Sequence, residues 1–143
     1  MNEVESTKIW MANLLMDDPG FPDVLFQGSM KRVYTDHAEI SQGFPYVLIN
    51  LMSGIDRPGL GTVRIQTEAI YMVRVVEENA PSDDSRAIEG WFDDLLQHQV
   101  AQPAGDYVVT CRRIAPFSRA EYDASKARFF HSGGQYKVWC YKT

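Results

Sequence analysis

The sequence lacks the features that mark membrane-inserted or exported chains. No apolar run approaches the ~20 residues that a membrane-spanning helix needs. Basic residues are missing from the first positions, where Asn2, Glu3 and Glu5 stand in place of the basic region of a signal peptide. We therefore expect a protein that is made and kept in a cytoplasm and has no membrane partner.

Cysteine and histidine are scarce and scattered. Cys111 and Cys140 lie within alternating apolar runs, which is typical of buried free thiols rather than of metal or redox sites. His37, His98 and His131 stand far apart and follow no ligand spacing, so we expect each of them at the surface or in a loop. The sequence thus predicts no metal and no cofactor.

Catalytic motifs are missing as well. The stretch GLGT at 59–62 lies between two predicted strands, whereas a phosphate-binding loop leads directly into a helix. Ser132 precedes two glycines but lacks a GxSxG elbow. Asp93 and Asp94 are neighbours on a predicted helix, so their carboxylates point in different directions and we expect a solvated face. These patterns favour a protein that is not an enzyme.

Basic residues are scarce in most of the chain. Residues 1–104 carry 7 basic and 16 acidic side chains, a net charge of −9, while residues 105–143 carry 7 basic and 3 acidic, a net of +4. Nucleic-acid-binding domains are usually basic overall, and this chain has a net charge of −5. The uneven distribution fits better with an acidic surface that meets the basic surface of a neighbouring subunit.

Apolar periodicity predicts two helices. The first covers residues 3–16 and ends at the sequence DDPG. The second begins at a cap that includes Ser82, and its apolar residues recur at helical spacing. We expect an acidic outer face on this second helix. The apolar positions of the second helix are Ala87, Ile88, Trp91, Phe92, Leu95 and Leu96.

Alternating residues predict the strands. The stretch 44–55 is apolar on both faces, which indicates a central strand covered on both sides, and 63–77 alternates as its hairpin partner. We expect 107–114 to pair with a C-terminal strand at 136–142. The order helix, strands, helix, strands predicts a single α+β domain, residues 1–143, with an antiparallel sheet packed against two helices.

The residues between the last two predicted strands have an unusual composition. We expect residues 115–135 to form a long loop rich in basic and aromatic side chains, because an ordinary hairpin turn is much shorter. Aromatic residues mixed with arginine are typical of interface anchors. The alternative is a loop folded over its own core. The residues that we expect at a subunit or partner interface are Arg119, Lys126, Arg128, Phe129, Phe130 and, on the second helix, Asp93 and Asp94.

Several segments occur in an order that suggests a family. An N-terminal helix is followed by RVYTDHAEISQGFPYVLINLMSG, VRIQTEAIYMVRVV, SRAIEGWFDDLLQ and FFHSGGQYKVWCYKT. Together they resemble the tail-completion, or tail-terminator, proteins of bacteriophages with long non-contractile tails. The resemblance spans most of the chain, and it rests on patterns rather than on catalytic signatures.

The resemblance implies a structural virion protein rather than an enzyme. Members of the family form a ring, commonly a hexamer, at the head-proximal end of the tail, after assembly in the host cytoplasm. The implied partners are further copies of the chain, the tail tube protein and a neck or head-completion protein, with DNA only passing through the ring. Two alternatives stay open: another neck component, such as a stopper or adaptor, and a small cytoplasmic enzyme or ligand-binding domain.

Overall fold

Two helices lie on one face of a six-stranded sheet in the computed structural model of this protein. The structure describes residues 3–37, 43–58, 64–79, 82–97, 99–101, 107–122 and 128–142. The predicted α+β class is confirmed. The elements are α1 (Glu3–Met16), a 3-10 turn (Asp23–Leu25), β1 (Phe26–Gln27), β2 (Met30–Lys31), β3 (Val33–Thr35), β4 (Tyr46–Pro58), β5 (Arg64–Glu78), α2 (Asp83–Leu96), β6 (Gln99–Ala101), β7 (Tyr107–Tyr122) and β8 (Arg128–Lys142).

The C-terminal strand lies inside the sheet. The strand order is β3-β4-β5-β8-β7-β6, so β8 pairs with β5 on one side and β7 on the other. The predicted pairing of the last strand with residues 107–114 is confirmed, since Tyr107 lies opposite Lys142 and Arg113 opposite Tyr136. All pairs are antiparallel except β3 with β4, which is parallel. The sheet is therefore mostly, not wholly, antiparallel.

The predicted loop at residues 115–135 is wrong over the described residues. Strands β7 and β8 continue through it as a hairpin, in which Ala115 lies opposite Gln135 and Tyr122 opposite Arg128. Pro116 and the two glycines at 133–134 interrupt the apolar alternation, and this hid the strands from a pattern-based prediction. Cross-strand pairing, which is long-range in sequence, overrides these local signals.

The prediction that the strand at 44–55 is covered on both sides is wrong for its second half. Val47 and Ile49 are buried under the helices, and Leu48 is buried on the other side of the sheet. From Leu51 to Asp56 every residue of β4 is exposed, because the strand runs beyond the helices toward its turn. Apolar residues there, including Met52, are thus left in contact with solvent.

The main core lies between the helices and the face of the sheet that they cover, called here the helix-covered face. The bounds of α1 match the prediction, and its Met11 and Leu15 are fully buried. In α2, Phe92 is fully buried, whereas Trp91 is partly buried at the edge of the same cluster. Neither helix described here is long and apolar enough to cross a membrane.

The start of α2 is fixed by side chains on two elements. The Ser82 hydroxyl accepts hydrogen bonds from the backbone N–H groups of Asp84 (3.1 Å) and Ser85 (3.3 Å), which confirms the predicted cap. The same hydroxyl donates to the carboxylate of Glu77 at 2.6 Å, and the Ser82 backbone N–H donates to it at 2.9 Å. Glu77 is the buried penultimate residue of β5, so the helix begins at a point set by the sheet.

The other side of the sheet, called here the open face, carries a small apolar cluster and is not covered by a described helix. Tyr46, Leu48 and Val76 are buried there, with Tyr34, Phe44 and Phe129 packed against them. Both α1 and α2 contribute to the separate cluster on the helix-covered face.

Candidate interaction surface

The two acidic residues predicted at an interface have different environments. Asp94 is exposed on α2, as expected for a solvated face. Asp93 is half-buried, and it accepts a hydrogen bond of 2.7 Å from the hydroxyl of Tyr136 on β8. Its carboxylate also lies 3.4 Å from Nη1 of Arg113. The solvated environment expected for Asp93 is therefore wrong, because the sheet beneath the helix supplies its partners.

Arg113 joins α2 to the sheet and was not among the predicted site residues. Besides Asp93, its guanidinium contacts Glu89 (3.2 Å) and donates to the carbonyl of Gly133 (3.1 Å). Burial raises the pKa of Tyr136, and the hydrogen bond to Asp93 raises it further. The acidic face expected on α2 is thus partly neutralised within the subunit, and Asp83, Asp84 and Asp94 are its exposed carboxylates.

The predicted aromatic anchors lie at the end of the β7–β8 hairpin. Phe129 stacks on Phe44, with ring centroids 5.4 Å apart, so it packs on the subunit's own open face. Phe130 is half-buried, and the Arg128 guanidinium lies 5.0 Å from its ring and 5.5 Å from the ring of Tyr122. For Phe129 this contact agrees with the alternative given for residues 115–135, in which the segment folds over its own core. Arg128 and Tyr122 are exposed.

Arg119 and a buried histidine share the open face near the same hairpin. The Arg119 side chain is exposed and lies 3.8 Å from Glu121. His131 was expected at the surface or in a loop, and this is wrong: it is buried in β8, with Nε2 3.0 Å from a Glu121 oxygen. Burial lowers the pKa of His131, the charge of Arg74 lowers it further, and Glu121 opposes the shift.

Four of the seven predicted residues lie at one end of the sheet, with Arg119 and Phe129 on the open face and Arg128 and Phe130 on the opposite face. Arg119, Arg128, Phe129 and Phe130 lie on the paired ends of β7 and β8, whereas Lys126 falls outside the described residues. Among the residues that are described, no ion pair joins this group to Asp93 or Asp94 on α2.

Charge is divided between the helices and the last two strands. Helices α1 and α2 carry 7 acidic and 2 basic residues, a net charge of −5. Strands β7 and β8 carry 6 basic and 1 acidic residue, a net charge of +5. Part of this charge is paired within the chain, since Arg113 contacts Glu89 and Asp93 and Lys137 contacts Glu68.

Comparison with known proteins supports the fold and goes no further. No protein-family model matches the chain, and no curated protein matches it. A solved structure that is named only by a sequence identifier aligns at a TM-score of 0.51 and 15% identity, over 78% of this chain and 79% of the other. At this identity the likeness shows a shared fold alone.

The buried cysteines agree with the prediction of free thiols. Both Cys111 and Cys140 are buried and unbridged in the core beneath the helices. Burial raises the pKa of the Cys111 thiol to about 12, with a smaller contribution from the charge of Asp93. A thiol of this kind is protonated at neutral pH and is a poor nucleophile or metal ligand.

We predict that His131 makes the fold sensitive to mild acid. Its folded-state pKa lies below the unfolded value of about 6.5, so its contribution to stability is present above that pH and is lost as the pH falls through the folded pKa. Arg119 also lowers the pKa of His131, in addition to the effects of Arg74 and Glu121 given above. Urea unfolding at about pH 7.5 and pH 5 should show a smaller loss for His131→Gln than for the wild type.

His37 provides the control for this measurement, since it is exposed. The His37→Gln protein shows what the removal of an exposed histidine does in the same measurement. If the free energy of unfolding fell by the same amount between about pH 7.5 and pH 5 in His131→Gln and in the wild type, the prediction for His131 would be contradicted.

Proposed function

We propose that this chain is a tail-terminator subunit of a bacteriophage with a long non-contractile tail. The sequence resemblance in element order supports this function. The observation that carries it is the division of charge, with −5 on the two helices and +5 on β7 and β8. A cyclic ring needs two different complementary surfaces on every subunit, and the opposite net charges of these two sets of elements support such an arrangement.

In this proposal the chain acts by assembly rather than by catalysis. A ring of copies, six by the family resemblance, caps the tail tube at the end nearest the head and joins it to a neck or head-completion protein. DNA passes through the ring without sequence-specific contacts. The exposed carboxylates Asp83, Asp84 and Asp94 and the exposed Arg119 and Arg128 steer neighbouring subunits into head-to-tail contact.

The purified chain should form closed rings as its concentration is raised. Light scattering should show a defined oligomer, and negative-stain electron microscopy should show a ring with a central hole. Because exposed charges are screened by salt, assembly should weaken at high ionic strength. In a phage that encodes the chain, its deletion should give tails of uncontrolled length and heads without tails.

Two results would count against this function. A wild-type chain that stays monomeric at every concentration, alone and with polymerised tail tube protein, would exclude a ring subunit. Tails of normal length joined to heads in the deletion phage would exclude a tail terminator, even if the purified chain forms rings.

A further inference from the structure

Each outer strand of the sheet covers a small part of its neighbour. Strand β3 pairs with β4 at positions 47–49, and β6 pairs with β7 at positions 109–111. Among the described residues, no strand pairs with the outer edge of β4 from Asn50 to Pro58, or with that of β7 from Ile114 to Tyr122. These two stretches are called here the open edges.

The open edge of β7 has a defined start. The backbone N–H of Arg113, which follows the segment paired with β6, donates to the side-chain oxygen of Gln97 at 2.6 Å. A side chain therefore ends the ladder, and a β-bulge follows between Arg113 and Ala115. Beyond it, the backbone groups on this edge, except at Pro116, which has no N–H, are placed to pair with another strand.

The most exposed large apolar side chains of the described residues lie on the two open edges. They are Tyr122 at 61% exposure, Ile55 at 55%, Met52 at 47% and Ile114 at 45%. Long edges that carry apolar side chains are sites of strand pairing between chains, and charges and prolines restrict it. Such residues are present on both edges: Asp56, Arg57 and Pro58 on β4, and Pro116, Arg119 and Glu121 on β7. A strand that covers such an edge must itself carry apolar side chains. The β4 edge of one copy and the β7 edge of another both carry them, so each can cover the other.

The direction of the strands favours pairing between unlike edges of two copies. In the order β4-β5-β8-β7 every neighbour is antiparallel, so β4 and β7 run in opposite directions. When a second copy is placed beside the first in the same orientation, its β4 lies antiparallel to the β7 of the first. The same order of strands then continues from one copy into the next.

The lengths of the outer strands also fit this arrangement. The open edges occupy opposite ends of the sheet, so neighbouring copies must be staggered along the strands. This stagger places β3 of one copy beyond the end of β7, and β6 beyond the end of the neighbouring β4, so the short strands do not obstruct the contact. A stagger between strands is also what closure of a sheet into a barrel requires.

We propose that the open edge of β4 in one subunit pairs with the open edge of β7 in the next, which makes one continuous sheet around a ring. The partner is a second copy of this chain. This inference rests on the proposed ring function and identifies the contact that closes the ring. Charge steers the encounter, and backbone pairing with the burial of Ile55 and Ile114 holds the subunits together.

Three isoleucine substitutions test the pairing. Ile55→Lys places a charge on the β4 edge, Ile114→Lys places one on the β7 edge, and Ile9→Lys changes an exposed isoleucine of α1. Each edge variant alone should fail to form rings, with the apparent dissociation constant raised on the order of 100-fold, because an unpaired charge would be buried. Ile9→Lys should assemble like the wild type. Thermal melts check that all three variants fold.

Mixing the two edge variants distinguishes unlike from like pairing. Ile55→Lys keeps an intact β7 edge and Ile114→Lys keeps an intact β4 edge, so an equimolar mixture should form a one-to-one dimer and stop there. Native mass spectrometry resolves this species from monomers and rings. If either variant melts abnormally, Met52→Lys or Tyr122→Lys replaces it on the same edge.

Several results would overturn the inference. Dimers formed by either variant alone would indicate that like edges pair with each other. Rings formed by both variants would place the contact elsewhere and leave the ring function standing. A wild-type chain that never assembles would overturn the edge pairing together with the ring.

Discussion

The Gly133→Ala protein is expected to lose about 4 kcal/mol or more of its free energy of unfolding. A Cβ atom at position 133 would lie 2.0 Å from the carbonyl oxygen of Val73 and 2.8 Å from Cα of Arg74. These are backbone atoms of the adjacent strand β5, so no side-chain rotation can relieve the clash. Gly133 therefore allows the close approach of the two central strands, and alanine would force them apart.

Gly90→Ala is the matched control, since it makes the same chemical change. Gly90 lies in α2, and a Cβ atom there would meet nothing within 4 Å. Alanine should stabilise this helix by about 1 kcal/mol. Urea unfolding followed by tryptophan fluorescence measures both variants. A Gly133→Ala protein as stable as the wild type would show that β5 and β8 do not approach as closely as described.

Removal of residues 136–143 is expected to give aggregated or insoluble protein. This segment forms half of β8, which lies between β5 and β7, so its loss removes one partner from half of each of these two strands at the centre of the sheet. It also removes Tyr136 and Val138, both fully buried in the core. Unpaired edges and uncovered apolar surface both promote aggregation.

A shorter truncation provides the comparison. Ending the chain after Tyr141 keeps the pairing of Tyr136 to Tyr141 with both neighbouring strands, so this protein should stay soluble with the wild-type circular dichroism spectrum. The chain that ends at Gln135 should be found in the pellet after expression. Recovery of that chain as a soluble protein with a native spectrum would contradict the central position of β8.

Local patterns predicted the elements whose signals are local. The bounds of α1, the apolar spacing of α2 and the cap at Ser82 depend on residues within a turn or two of each other, and these predictions are confirmed. The alternation of residues 136–142 likewise identified a strand. Helix α2 and the last strand each carry a regular period in their own sequence, and α1 has a stop signal at DDPG, so their prediction needed no knowledge of distant partners.

The parts that depend on distant partners could not be predicted in the same way. The burial of His131 follows from its neighbours Arg119 and Val76 across the sheet, which no spacing in the sequence reveals. Asp93 gains Arg113 and Tyr136 for the same reason. The open edges at Ile55 and Ile114 depend on which strands have no full-length neighbour, and this order of strands is not encoded in local composition. Composition indicated the aromatic residues of β8.

The position of β8 has a consequence for synthesis of the protein on the ribosome. The strand made last completes the centre of the sheet, and even α1 is held partly through it, since the Thr7 hydroxyl lies 3.3 Å from Cys140 Sγ, 133 positions along the chain. Such non-local contacts form late and slow the folding of a domain. The complete sheet therefore cannot form on the ribosome until residues 128–142 have emerged.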